Sequence, residues 1–272
     1  MAGFALFFFL AFFVIESQAR LDIPIIDSSH HQAQEWGYDD GHSDTNGEEF
    51  VLSHLLKPGD VIFDVGANRG MWSLVSLQIE PRIHLYSFEP LPKVFPTLKS
   101  NVGSQAEVFN LAFSNQRGMG TFHALDGADS EGSGFFRRPV IANRNHCSYH
   151  IIQVDLETID HFCKCHNIHK IDYLKIDTEG GELRVLQGAK NMLFDHHIAA
   201  LQFEYGGCYP DAKITLKEVM QLLTQAGYAI FRISSHGIIH IDKWEDSLES
   251  YRYANYFGSV NSGHDLMQIK DP

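Results

Sequence analysis

Val61-Ile62-Phe63-Asp64-Val65 is an apolar run with one carboxylate, and it passes directly into Gly66-Ala67-Asn68-Arg69-Gly70. About 20 residues further on, Tyr86-Ser87-Phe88-Glu89-Pro90 is a second apolar run that ends in a carboxylate. A strand that turns through small residues into a helix, followed by a strand with an acidic end, describes a βαβ unit built to hold a nucleoside. Gly66 and Gly70 let the backbone approach a ligand and let helix pack on strand. Glu89 stands where a carboxylate accepts hydrogen bonds from both ribose hydroxyls.

Two details select the nucleoside. The dinucleotide fingerprint G-x-G-x-x-G needs a middle glycine to admit a pyrophosphate to the helix N-terminus, and Ala67 and Asn68 occupy that part of the loop. Asp64 would repel a pyrophosphate but suits a cationic ligand. S-adenosylmethionine carries an amino group and a sulfonium and has no phosphate, so a methyltransferase is favoured over a dinucleotide oxidoreductase. Asp64, Gly66, Gly70 and Glu89 are the cofactor contacts this reading expects.

The chain of 272 residues is long enough for one α/β domain with a full core. A net charge of −13 with scattered basic residues argues against nucleic acid as the substrate. Sixteen histidines and four cysteines form no metal-ligand spacing and no C-x-x-C pair, so neither a bound metal nor a disulfide framework is expected. Residues 2–15 are continuously apolar, too short to span a bilayer, and Ser17-Gln18-Ala19 fits a small-x-small cleavage site. Residues 1–19 therefore read as a signal peptide or short anchor, although no Lys or Arg precedes the apolar run. Membrane association through residues 1–15, or export, is the expectation if that segment acts as a signal or anchor; otherwise the protein is cytoplasmic. Residues 20–47 are polar and read as an exposed lead-in to a domain spanning 48–272.

Within that domain the pattern predicts a helix over 48–56, a turn at Lys57-Pro58-Gly59-Asp60, and helix 69–78 after the first strand. Strand 83–88 follows. A helix begins at Pro92, its start delayed by Pro96, and strand 106–112 comes next. From 118 to 148 periodicity fades into a long functional loop, with short strands at 121–123 and 151–154 beside it. Helix 156–166, strand 171–176, a helix, strand 198–204, helix 215–226 and strands near 228–233 and 251–257 complete the order. Alternating strands and helices imply a doubly wound, mostly parallel sheet of Rossmann-like type.

The chain resembles the FkbM family of S-adenosylmethionine-dependent methyltransferases over about residues 48–209. The ordered motifs are residues 57–70 (Lys57 to Gly70), Phe88-Glu89-Pro90, Asn110-Leu111-Ala112-Phe113-Ser114, Val154-Asp155-Leu156-Glu157-Thr158-Ile159-Asp160 and Leu174-Lys175-Ile176-Asp177-Thr178-Glu179-Gly180-Gly181-Glu182, continuing to Val185-Leu186-Gln187-Gly188-Ala189. The resemblance implies a class I methyltransferase sheet of seven strands with the last antiparallel. It also implies O-methylation of a hydroxyl-bearing small-molecule or glycan acceptor, with Asp64, Gly66, Ala67, Asn68, Gly70, Glu89 and Asn110 as expected cofactor contacts. Pro96 and the Gly/Arg-rich 118–148 stretch depart from the family pattern, and the latter is where acceptor specificity should sit.

A hydroxyl acceptor must lose its proton, so a base beside the methyl group is needed. Asp177 and Glu179 lie just past the carboxyl end of strand 171–176, the edge where open α/β sheets bind ligands. Residues two apart in extended chain share a face, so both carboxylates are expected to converge, as a base or as a cation-binding pair. Glu204 borders the same edge and completes the catalytic candidates; His123 is the best-placed histidine. A non-catalytic exported or membrane-tethered binding module with the same fold is the competing reading.

Overall fold

The computed structural model describes residues 23–26, 46–126 and 132–260. The apolar segment 1–15 and the cleavage-site pattern after it lie outside the described residues. Among the described residues, no helix is long and apolar enough to cross a membrane.

The strands are β1 (Ile25–Ile26), β2 (Val61–Val65), β3 (His84–Phe88), β4 (Ala106–Phe109), β5 (Ala112–Phe113), β6 (Gly118–Leu125), β7 (Tyr149–Glu157), β8 (Ile171–Ile176), β9 (Ile198–Tyr205), β10 (Ala229–Ser234), β11 (Gly237–His240) and β12 (Ala254–Ser259). Nine form the main sheet, in the order β4-β3-β2-β8-β9-β12-β10-β11-β1. Pairing is parallel from β4 to β9, and β12 inserts antiparallel between β9 and β10. This is the expected seven-stranded, mostly parallel sheet with its last strand reversed. It is widened to nine because β11 forms a hairpin with β10 and β1 pairs with β11. The described part of the lead-in is therefore not loose: Ile23 is buried and Ile25–Ile26 make the sheet edge.

Helices cover both faces. α1 (Glu48–Leu55) and α2 (Met71–Ile79) bring Val51, Leu52, Trp72 and Leu77 onto Ile62, Leu85 and Tyr173. α3 (Phe95–Val102) follows β3 and tolerates Pro96 because it falls in the first turn. α4 (Pro139–Asn145) lies inside the stretch read as loop. On the other face α5 (Ile159–His166), α6 (Glu182–Gly188), α7 (Lys190–Phe194) and α9 (Leu216–Gln225) cover Phe63, Leu174, Leu201 and Phe203, and the short α8 (Cys208–Ala212) closes the edge. Phe162 of α5 is the hub, with ring centroids 5.0 Å from Phe88, 4.9 Å from Phe109 and 5.6 Å from Phe113, all edge-on.

Three expectations fail for local reasons. Residues 118–125 are an eight-residue strand; Gly118 and Gly120 hide its alternation, and at Gly120 a Cβ would lie 2.7 Å from the Leu156 side chain, which packs into the space the glycine leaves. The strand read as 106–112 breaks at Asn110, so that Ala112–Phe113 joins a second sheet, β5-β7-β6. Leu156 and Glu157 end β7 rather than start a helix, and the Thr158 hydroxyl accepts the His161 N–H at 3.3 Å to begin α5. All four cysteines are free thiols.

Phe162→Ala should lower unfolding free energy by about 3–5 kcal/mol in chemical denaturation, since it empties the hub of an aromatic cluster.

Candidate active site

Register builds the site. Ser87 of β3, Asp64 of β2, Lys175 of β8 and Gln202 of β9 are direct cross-strand neighbours, and all four are buried on one face of the sheet. The Ser73 hydroxyl, from α2, donates to Asp64 Oδ2 at 2.7 Å and lies 2.8 Å from the Ser87 hydroxyl. Lys175 Nζ reaches Asp64 Oδ1 at 3.4 Å and Asp177 Oδ2 at 3.2 Å, and sits 5.7 Å from the Trp72 ring centroid. Gln202 donates to Glu48 Oε1 and accepts from the Tyr173 hydroxyl at 2.7 Å. Burial opposes the charge on Lys175, but Asp64, Asp177 and Glu48 together hold it protonated. Asp64 is thus a fully buried partner of Ser73 and Lys175 rather than an open ligand contact. Lys175 lies within a family motif but was not among the site candidates, because the partners that hold its charge are fixed by strand register.

Two residues beyond this row, the sheet's carboxyl edge carries the glycine turn. Gly66 and Ala67 both donate to the Phe88 carbonyl, at 3.0 and 2.9 Å. Gly66 has φ +84°, and a Cβ there would fall 1.8 Å from the Asp177 carbonyl oxygen, so only glycine lets the turn after β2 close on the end of β8. The Ala67 side chain packs on Leu98 and Val102, which leaves its backbone as the part facing the turn. At Gly70 a Cβ would meet Leu98 at 2.8 Å, so this glycine serves helix packing.

Glu89 is buried at the end of β3. Its Oε2 accepts the Asn68 N–H at 2.9 Å and its Oε1 the Leu91 N–H at 2.8 Å, while Asn110 donates to the Glu89 carbonyl at 2.8 Å. A carboxylate has about four lone-pair sites, so one on each oxygen is left for a diol. Burial, with Asp64 and Asp177 nearby, pushes the Glu89 carboxyl up to about 7 against two N–H bonds that favour its charge.

Asp177 and Glu179 do not converge as expected. The extended chain ends at Asp177; Glu179 has φ +55° and Gly180 φ +98°, so the rule that residues two apart share a face lapses there. Asp177 pairs with Lys175, whereas Glu179 pairs with Arg138 and accepts the Gly132 N–H at 3.0 Å. The turn between them is held by Glu182, whose Oε1 accepts from Thr178 N, Thr178 Oγ1 and Gly180 N at 2.9, 3.0 and 3.3 Å. Glu182 Oε2 is buried with no partner, and burial raises this carboxyl to about 7.

Glu179, Glu204 and Cys208 bring one ligand-type atom each to within 4.8 Å of one another. Arg138 donates to Glu179 Oε2 and to the Tyr253 hydroxyl, and the Tyr149 hydroxyl donates to the Gly132 carbonyl at 3.0 Å. Arg138 and Tyr253 come from regions that show no motif, so only the folded chain reveals them. His123, on β6, exchanges backbone bonds with Gly134; burial and Arg137 lower its pKa, which keeps it neutral.

Strand order and glycine turn together define a Rossmann-like fold of the class I methyltransferase type. Residues 64–230, more than half of the chain, match the family described as Methyltransferase FkbM domain, and the chain belongs to that family of methyltransferases. Over 186 residues it is 27% identical to 2-O-methyltransferase NoeI of Sinorhizobium fredii, an alignment covering 64% of this chain and 74% of that protein. Hexuronic acid methyltransferase AglP of Haloferax volcanii is 28% identical over 191 residues, covering 67% and 70% of the two chains. A 46-residue stretch is 48% identical to 31-O-demethyl-FK506 methyltransferase FkbM of Streptomyces tacrolimicus, covering 17% and 18% of the two.

A folded Glu182 keeps its proton up to about pH 7, whereas the ordinary value is 4.5. Its contribution to stability is therefore present at low pH and is lost as pH rises between those values. Glu182→Gln, which cannot ionise, should gain on the parent by roughly 2 kcal/mol between pH 5 and pH 8 in paired denaturation curves.

Proposed function

We propose that the protein is an S-adenosylmethionine-dependent O-methyltransferase whose acceptor is a hydroxyl on a sugar or other glycan-linked small molecule. The observation that carries the cofactor half is Glu89: a buried carboxylate at the end of β3, aligned by two backbone N–H groups, with one acceptor position per oxygen in reserve for the two ribose hydroxyls. Backbone from Gly66 to Asn68 lies beside it, and Asp177 offers a partly exposed carboxylate to the cationic end of the same ligand. The acceptor half is supported by the names of the relatives, two of which are sugar-directed or 2-O-methyltransferases.

When bound, the cofactor supplies a sulfonium methyl group for in-line displacement. The protein supplies position and a proton acceptor. Glu89 orients the nucleoside. Asp177 stands between that end of the edge and Glu204, placed to take the proton of an incoming hydroxyl, and Lys175 fixes its direction. The buried row beneath keeps β2 and β8 in register, so these groups hold their spacing without a ligand.

Calorimetric titration of the full-length protein should show S-adenosylmethionine binding and no comparable NADH binding. Glu89→Ala should weaken that binding at least about tenfold, as two charge-assisted hydrogen bonds are lost. Binding to the parent should also weaken about tenfold from pH 8 to pH 6, because a protonated Glu89 no longer accepts from both hydroxyls, and Glu89→Gln should lose this dependence. Equal affinity in parent and Glu89→Ala would refute the assigned nucleoside site. At saturating S-adenosylmethionine, Asp177→Asn should lose about 10²-fold or more in turnover, beyond the weaker cofactor binding that follows from losing its charge.

A further inference from the structure

Arg138, Tyr253, Glu179 and Glu204 form a polar group that the fold and the nucleoside half leave underused. The Arg138 side chain is 5% exposed; two of its nitrogens are committed to Glu179 and Tyr253, but its buried Nε–H has no acceptor. An orphaned buried guanidinium N–H is costly and points to a missing partner. The Tyr253 oxygen accepts from Arg138, so the phenol proton is directed to an acceptor other than Arg138. Gly206 exists to seat this ring: a Cβ there would lie 2.7 Å from Tyr253 Cδ1. Burial, Glu179 and Glu204 raise the Tyr253 hydroxyl to about 12, keeping it a donor at neutral pH. Glu204 lies one row above Gln202 on the same face of β9, cross-strand to Asn255.

Two carboxylates face one guanidinium here. That balance repels a second anion and favours groups that bring hydroxyl protons to carboxylates while accepting from the phenol and guanidinium.

Resting on the methyltransferase reading, we infer that Arg138, Tyr253 and Glu204 form the acceptor subsite and that it takes a neutral, hydroxyl-rich pyranoside rather than an anionic sugar. Tyr253 donates to one ring or glycosidic oxygen of the acceptor. Arg138 Nε–H donates to a second oxygen. Glu204 accepts a hydroxyl proton.

The test uses full-length protein, radiolabelled S-adenosylmethionine, and matched sets of methyl pyranosides and methyl pyranosiduronates in the gluco, galacto and manno series. Label should enter the neutral set in preference to the uronates. Tyr253→Phe should raise the acceptor KM about tenfold, the worth of one hydrogen bond in a desolvated site, with cofactor Kd unchanged. Glu204→Gln should also raise acceptor KM without moving cofactor Kd. Preference for the uronates, an unaltered acceptor KM in Tyr253→Phe, or cofactor binding with no label in either set would overturn the subsite. Failure to bind S-adenosylmethionine would appear before any acceptor is added and would remove the methyltransferase reading with it.

Discussion

The ammonium of Lys175, enclosed between Asp64 and Asp177 under the Trp72 ring, is the contact on which the rest of the edge depends. A lysine in the middle of a sheet is tolerable only with charge partners at hand, and parallel pairing supplies Asp64 directly across from it. Ser87 and Gln202 extend the polar row to four strands, while the opposite face of the same strands is packed with Phe63, Leu174, Leu201 and Phe203. Slipping any strand by one residue would turn polar groups into that apolar layer and leave them unpaired. A buried ion pair adds little net stability, but losing one member leaves an uncompensated charge. The row therefore acts as a register key, and it sets where Glu89, Gly66, Asp177 and Glu204 emerge one step later.

Along that edge the chemistry separates into two ends. Glu89 and the glycine turn form one, stiffened by bonds to the Phe88 carbonyl and by the close approach of Gly66 to Asp177. The other is assembled from distant chain segments: Glu179 from the turn after β8, Glu204 from β9, Tyr253 from the approach to β12 and Arg138 from the segment before α4. The small β5-β7-β6 sheet makes this assembly possible. Its hairpin carries residues 132–138 back over the edge, pinned by the His123–Gly134 bridge and by Tyr149. This segment is separate in the chain from the glycine turn after β2, so one end of the edge can vary while the other stays unchanged.

The glycine-turn end of the edge was legible because its signals are local. A glycine at positive φ, a strand that ends in a carboxylate and the 20-odd residue spacing of a βαβ unit are all contained in one stretch of chain. Even there, the burial of Asp64 was not legible, since it depends on Lys175 more than a hundred positions away. The Asp177 and Glu179 pairing failed for a related reason: the extended geometry it assumed ends at the turn that Glu182 ties. Strand 118–125 was hidden because glycines took positions that would otherwise show alternation.

The sequence by itself determined the fold class, the main alternation of strands and helices and the family, because each rests on short-range pattern and on residues close in the chain. Tertiary structure alone decided that Lys175 neutralises Asp64, that Asp177 and Glu179 serve different ends of the edge, and that Arg138 and Tyr253 meet there. Those outcomes are set by strand register and by the path of the second sheet, long-range pairings whose partners carry no mark in the local sequence.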